Sequence, residues 1–353
     1  MVGDCRLKYL SSPRYYLPCI LILLLTALPL FVTSPYYLHI ITMVFFWAYL
    51  ATAWNIVGGF AGQLSLGHGV YVAAGAYTSS LIFVNLGISP WLGMIIGGLV
   101  AAVLGIIVGY PTLRLKGAYY ALATVGFAEG FRVILVNTEQ IGSWKTGGAE
   151  GFMIPLLGNA PQHMQFMSKV PYYYLILVLF IIIIFVSSWI NRSKMGYYLT
   201  ALREDEDAAL ALGINTTRIK LVAAALSAFF SGIGGVYYAQ LIRYLEPNAI
   251  AGAMMSNQIV FLAIIGGRGT VLGPALGGVL LTILGEITRV LFGQIMGLHL
   301  FLYGILVVLF VIFKPKGLIE FMKNLYETLI QVLEGRRAEG ARKGFIGVEE
   351  RNN

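Results

Sequence analysis

The sequence predicts an all-α polytopic membrane protein of about ten transmembrane helices, and three observations predict it. Of its 353 residues, 58% are hydrophobic and only 11% charged, and the mean hydropathy is +0.79. An ordinary soluble domain carries about twice that share of charge. The apolar residues also fall into runs of about 20, the length that crosses a bilayer core. Finally, the basic residues gather in alternate breaks between those runs.

Ten apolar segments follow in order, at about 15–34, 38–57, 63–84, 90–110, 117–136, 171–190, 217–241, 252–267, 270–292 and 297–313. Arg6, Lys8 and Arg14 before the run Leu17–Val32 imitate a secretory signal. No small-x-small cleavage site follows, and a second span comes at once, so the first is expected to stay as an uncleaved span. Cys5 is expected in the cytoplasm and Cys19 within a span, which argues against a disulfide or a metal site. The third and eighth segments are glycine-rich or short and are expected to be broken or re-entrant, as backbone lining a cavity can be.

Charge then fixes the expected topology. With both ends inside, the inner side receives Arg6, Lys8, Arg14, Arg114, Lys116, Arg192, Lys194, Arg203, Arg218, Lys220 and Arg268, and the tail from Lys314 onward. The outer side receives Lys145, Lys169 and Arg243. That is a strong positive-inside bias. The net charge of +8 therefore belongs to loops facing lipid headgroups, and no nucleic-acid partner is expected. The organisation expected is a cytoplasmic N-terminus at 1–14, a transmembrane domain at 15–313 and a cytoplasmic tail at 314–353, in a multi-pass cell (inner or plasma) membrane protein. An outer loop at about 137–170 and an inner loop at about 191–216 are the longest wet connections inside the domain.

Two glycine-dense segments, GGFAGQLSLGHG at 58–69 and AIIGGRGTVLGPALGG at 263–278, lie five spans apart. That offset fits an inverted internal repeat with broken helices, a transporter device; the competing explanation is that glycine is simply frequent where membrane helices pack. The small-xxx-small pairs Gly58/Gly62, Gly93/Gly97, Gly105/Gly109, Ser231/Gly235 and Gly273/Gly277 read as close helix contacts.

The inner loop holds GYYLTALREDEDAALALG, Gly196 to Gly213. Leu199, Leu202, Ala209 and Leu210 form one apolar stripe at helical spacing, and Gly213 is the expected stop. Arg203, Glu204, Asp205, Glu206 and Asp207 crowd its centre. An acidic centre suits a protein partner better than an anionic bilayer, which attracts Lys and Arg.

Residues for catalysis are scarce. The sequence has no Walker A motif, H-E-x-x-H, C-x-x-C or G-x-S-x-G, so a transport subunit is expected and not an enzyme, with no cofactor on this chain. Polar residues inside spans are functional candidates by default. Glu129/Arg132 and Glu286/Arg289 are spaced to neutralise each other as ion pairs. Gln63, Ser65 and His68 have no charge partner; they either line a polar path or stitch a broken helix. The outer TGGAEG, Thr146 to Gly151, reads as a shaped turn and a candidate docking surface through Thr146, Gly147 and Gly148.

Several blocks together resemble the integral-membrane permease of branched-chain (hydrophobic) amino-acid ABC importers, the LivM type: WNIVGGFAGQLSLGHGVYVAAGAY (54–77), LKGAYYALATVGFAEGFR (115–132), TGGAEG (146–151), the run 196–239 and IIGGRGTVLGPALGG (264–278) with FKPKGL (313–318). They cover nearly all of 50–318 in family order. The resemblance implies a type II-like importer permease that pairs with a second homologous permease. It also implies two cytoplasmic ATPase subunits carrying ATP and Mg, and an extracytoplasmic solute-binding protein. It places an ATPase-coupling helix over Leu199–Leu212, with Ala201, Leu202, Arg203, Glu204, Asp205 and Glu206 at matching positions. Many relatives have Arg after the glycine where this chain has Tyr197 and Tyr198. Relatives that move urea, short amides or other amino acids leave the substrate open, and an ion-coupled secondary transporter is the alternative from another class.

Overall fold

Without water to bond the backbone, an apolar run can satisfy its N–H and C=O groups only as helix or closed barrel. The computed structural model takes the first course; it describes residues 13–32, 34–112, 114–295, 297–313, 317–323 and 328. The helices are α1 Pro13–Phe31, α2 Pro35–Asn55, α3 His68–Leu86, α4 Pro90–Thr112, α5 Ala118–Asn137, α6 Val170–Arg192, α7 Lys194–Glu204, α8 Glu206–Ala211, α9 Thr216–Ile242, α10 Pro247–Ile250, α11 Ala253–Gly267, α12 Gly273–Phe292 and α13 Leu298–Phe313. Proline opens α1, α2, α4 and α10, where its missing N–H would have had no partner in any case.

Eight helices among the described residues are long and apolar enough to cross a membrane, where ten were expected. The other two expected spans are also helical, α1 and α13, with shorter apolar stretches at Ile22–Phe31 and Leu300–Phe310. The third span begins later than expected, at His68, because Gly62–Gly67 run as non-helical chain. The eighth begins earlier, at Pro247, and breaks between α10 and α11. Cys5, Arg6, Lys8 and the tail beyond Thr328 lie outside the described residues, as do Lys314 to Lys316.

The chain divides into two units, Met1–Ser34 with Ile319–Asn353, and Pro35–Leu318. Of the first, α1 is the membrane-length helix. In the second, two three-helix clusters repeat one pattern of pairing. α3, α4 and α9 pack mutually, and so do α11, α12 and α2. Moving α3 and α4 on by five spans, and α9 back by five, gives the second. The contacts that bind each cluster are alike too. A Cβ on Gly75 of α3 would stand 2.1 Å from the Gly232 carbonyl of α9. A Cβ on Gly277 of α12 would stand 2.0 Å from the Leu262 carbonyl of α11, and one on Gly278 would strike Ala48 of α2. Backbones that touch in this way gain packing that larger side chains forbid.

One end of this unit carries the turn after α4, the α7–α8 segment and the turn between α11 and α12. The opposite end carries the loop from Thr138 to Lys169, where β1 (Gln140–Ile141) pairs with β2 (Trp144–Lys145) and β3 (Phe152–Met153) pairs with β4 (Tyr244–Leu245), both antiparallel. Gly147, Gly148 and Gly151 all have positive φ in that loop.

Gly75→Leu is expected to stop the α3/α4/α9 cluster from closing, since backbone and not a flexible side chain stands in the way. Gly304→Ala on α13, where nothing lies within 4 Å, should be silent. Detergent-solubilised thermal melts checked by size-exclusion chromatography would separate the two.

Candidate functional site

The site is built on two breaks in the helical run between spans, one at 61–67 between α2 and α3 and one at 268–272 between α11 and α12. After Asn55, α2 runs on through a π turn, Ile56–Phe60, a geometry frequent at functional positions. The chain then turns at Gly62 (φ +69°) and runs extended to Gly67. Extended chain inside a membrane leaves its polar groups without helical partners, so side chains must supply them. Trp54 Nε1 donates to the Ser65 carbonyl at 2.8 Å. Leu66 N donates to Thr124 Oγ1 of α5 at 3.0 Å, and Gly69 N to Ser256 Oγ of α11 at 2.8 Å.

His68 closes the arrangement. Ser227 Oγ donates to the Ala53 carbonyl at 2.8 Å, so its one proton is committed. Ser227 Oγ must therefore accept from His68 Nε2–H, 2.8 Å away. His68 Nδ1 then accepts from Ser65 Oγ at 3.0 Å. Ser65 and His68 are both buried, and every side-chain polar atom of the pair finds a partner within the chain. Gln63 is half-buried. Of the three residues singled out in this stretch, two are thus bonded into the break itself.

The second break, from Gly267 to Leu272, is held from the first. Asn55 is wholly buried. Its Nδ2 donates to the Thr270 carbonyl and its Oδ1 accepts from Gly269 N, both at 2.8 Å. Thr270 Oγ1 donates to the Gly267 carbonyl at 2.7 Å and accepts from Gly273 N at 3.1 Å, which starts α12.

Arg203 of α7 reaches the same spot. Its Nη1 donates to the Gly59 carbonyl at 3.4 Å. A Cβ on Gly62 would stand 2.8 Å from Arg203 Cγ, and one on Gly269 would stand 2.3 Å from Arg203 Nη1. The Arg203 side chain, 34% exposed, therefore rests on both breaks at once. Glu204 accepts from it at 3.0 Å on the outside.

The segment carrying Arg203 departs from the single helix expected over Leu199–Leu212. It breaks at Asp205, whose Oδ1 accepts from Asp207 N and Ala208 N at 2.9 and 3.0 Å. The short carboxylate caps a new helix instead of continuing the old one. Leu199, Leu202 and Ala209 are buried and Ala201 half-buried, but Leu210 is 50% exposed and does not join the stripe. Gly213 (φ +80°) ends α8, with Ile214 N bonded back to the Ala209 carbonyl. Glu206 is tied to Lys220 at 2.6 Å, the lysine being 1% exposed; a buried cation needs such a partner. Asp207 accepts from Lys116 at 2.9 Å and holds that ammonium above the ordinary lysine range. On the other side Tyr197, Tyr198, Leu210 and Leu212 are exposed, beside a groove of about 490 Å³ lined by Met195, Tyr198, Leu212 and Arg218 among others.

The remaining candidates lie apart. Glu129 pairs with Arg132 on α5, and Glu286 with Arg289 on α12. Thr146 and Gly148 are buried in their turn, where Thr146 donates to the Thr138 carbonyl; Gly147 is half-buried, and the neighbouring Lys145, Ala149 and Glu150 are exposed. Among the described residues no group of three His, Cys, Asp or Glu side chains is placed to hold a metal. Sequence reasoning overlooked Asn55, Thr124, Ser227 and Lys220. Asn55 did carry a signal: it is an amide at the end of an apolar run, four residues before a glycine pair's second member.

The family of permease components of branched-chain amino acid transport systems matches residues 36–311. The high-affinity branched-chain amino acid permease protein LivM of Salmonella typhimurium is 31% identical over 347 residues, covering 88% of this chain and 79% of the relative. Its Escherichia coli K12 counterpart is also 31% identical, over 89% and 80%. The permease protein LivH of Salmonella typhimurium is 24% identical over 67% of this chain and 79% of its own. No solved structure matches.

Asn55→Leu keeps the volume but orphans a buried N–H and a buried C=O, at about 1–3 kcal/mol each. The apparent melting temperature of the purified protein should fall by several degrees, while Gln63→Ala leaves it in place. An unchanged melt for Asn55→Leu would mean that the two breaks are not joined as described.

Proposed function

The chain belongs to the family of permease components of branched-chain amino acid transport systems, and from that premise we propose that it is the membrane subunit of an ATP-driven importer. One of two ATPase subunits grips α7 and α8 on the cytoplasmic side, and the other grips the partner permease. A second, homologous permease completes the pathway, and a solute-binding protein delivers branched-chain amino acids at the opposite end. No bond is made or broken on this chain.

One observation carries the reading: Arg203 of the wet α7 segment rests on both breaks, between α2 and α3 and between α11 and α12. Whatever displaces α7 displaces both breaks, since neither glycine contact leaves slack. A large apolar patch in a water-facing loop marks a protein contact, and Tyr197, Tyr198, Leu210 and Leu212 supply one beside that lever. The LivH-like similarity supports a paired permease. Alternating access then follows from ATP-driven closure of the partners, relayed by α7 and α8 to the spans, without an ion gradient.

The test uses the whole importer in proteoliposomes. Arg203→Glu should cut binding-protein-stimulated uptake about tenfold or more, the scale of a lost charge-assisted contact, with membrane insertion intact. Undiminished uptake sinks the lever, and uptake by this chain alone on an ion gradient sinks the importer.

A further inference from the structure

Arg132 Nε donates to both Glu129 oxygens, at 3.1 and 3.0 Å, and Nη2 donates to Glu129 Oε1. Nη1 donates to Asn248 Oδ1 of α10. The pair lies in a membrane-length helix, α5, yet Glu129 is 52% and Arg132 25% exposed. Charge left uncovered in a span is costly against lipid and belongs at a water-filled cavity or path. In the other intramembrane pair it is the anion that is covered: Glu286, 20% exposed, also accepts from Tyr36 Oη at 2.9 Å, while Arg289 is 55% exposed.

The uncovered pair has free valence of both signs. A guanidinium has five N–H groups; with the bonds above made, one N–H on each terminal nitrogen is unengaged. The carboxylate keeps room for a donor on Oε2, and Asn248 Oδ1 can accept a second proton. The same face is also notched. Gly126 and Gly130 flank Glu129, and a Cβ on either would meet nothing within 4 Å. Leu122, 68% exposed, lies one turn from Gly126 on that face. Cation fork, anion and apolar notch together match the three parts of an aliphatic α-amino acid.

Resting on the importer reading above, we propose that Glu129, Arg132 and Asn248 form a membrane-embedded subsite for a zwitterionic aliphatic amino acid. Its carboxylate takes the open N–H groups of Arg132. Its ammonium bridges Glu129 Oε2 and Asn248 Oδ1. Its side chain lies in the notch at Gly126 and Gly130. Asn248 stands next to the strand β4 end of the chain, so solute leaving the delivery end meets this trio early in its passage. The ion pair holds the site neutral when empty, which removes the cost of an unpaired charge there.

The probe is photo-leucine, a leucine bearing a diazirine, delivered by the binding protein to the full importer in proteoliposomes and trapped with vanadate before illumination. Adducts are expected on the α5 peptide between Tyr119 and Val133. Glu129→Gln still accepts from Arg132, so it keeps the helix contact but loses the ammonium partner. Glu129→Gln and Arg132→Gln should lower both labelling and uptake per ATP hydrolysed about tenfold, with stimulated ATP hydrolysis and melting temperature retained. Glu286→Gln should change neither. Label elsewhere with α5 bare, or unchanged uptake in both α5 variants, overturns the subsite while wild-type ATP-driven uptake keeps the importer. A wild-type complex that moves no photo-leucine on ATP overturns both.

Discussion

The contact on which this architecture depends is the meeting of Asn55, Gly59, Gly269 and Arg203. Each break in a span exposes backbone that a continuous helix would have satisfied, and each unsatisfied group in that setting costs several kcal/mol. Asn55 solves the problem for the second break with one amide, using donor and acceptor together. The cost is that Gly59 must lack a Cβ, because Asn55 Oδ1 would lie 1.7 Å from it. Arg203 then covers what Asn55 cannot reach. A polar knot of this kind is fully satisfied or strongly destabilising, so it sets one arrangement for three separate segments.

The duplicated packing gives that knot its position. α3, α4 and α9 form one glycine-tight cluster and α11, α12 and α2 the other. Each cluster borders one of the two breaks, α3 following the first and α11 and α12 flanking the second, and both breaks come to the α7 end. A break is soft and a glycine-packed cluster is stiff, so movement between clusters concentrates at the breaks. Packed interiors switch between discrete arrangements and do not deform smoothly. The lever therefore sits where the least force changes the most geometry.

The apolar runs, the glycine-dense breaks and the stop at Gly213 were all legible in the sequence because each is a local property of a few neighbouring residues. The charge crowd at 203–207 marked a wet segment between spans for the same reason. What Arg203 touches was not legible: Gly59 and Gly269 lie 144 and 66 positions away, and nothing in a glycine names its partner. The break at Asp205 was hidden because a capping aspartate and a helical one look alike until the backbone turns. Leu210 kept the helical spacing of Leu202 only as long as that helix was continuous. Thr146 and Gly148 looked like surface because they are small and polar or flexible, and burial followed from the loop folding back on the end of α5, where Thr146 N bonds the Glu139 carbonyl and Gly148 lies against the Val136 carbonyl and Glu139.

The two ends of the proposed machine are closer in structure than in sequence. Arg203 presses on Gly62, which opens the extended stretch to Gly67. That stretch bonds Thr124 through Leu66 N, and a Cβ on Gly67 would stand 2.5 Å from the Thr124 carbonyl. Thr124 is on α5, five residues before Glu129, or about 7.5 Å along the helix axis. No link in this series is a flexible side chain meeting another flexible side chain. Each is backbone against backbone, or a buried hydrogen bond at 3.0 Å or less, apart from the stem of Arg203 itself. A displacement of α7 has no rotamer to lose itself in until it reaches α5. Contiguity of this sort gives coupling its route: through Thr124 and Ala128, which meet the first break at Leu66 and Gly67 and share a helix with the charged pair.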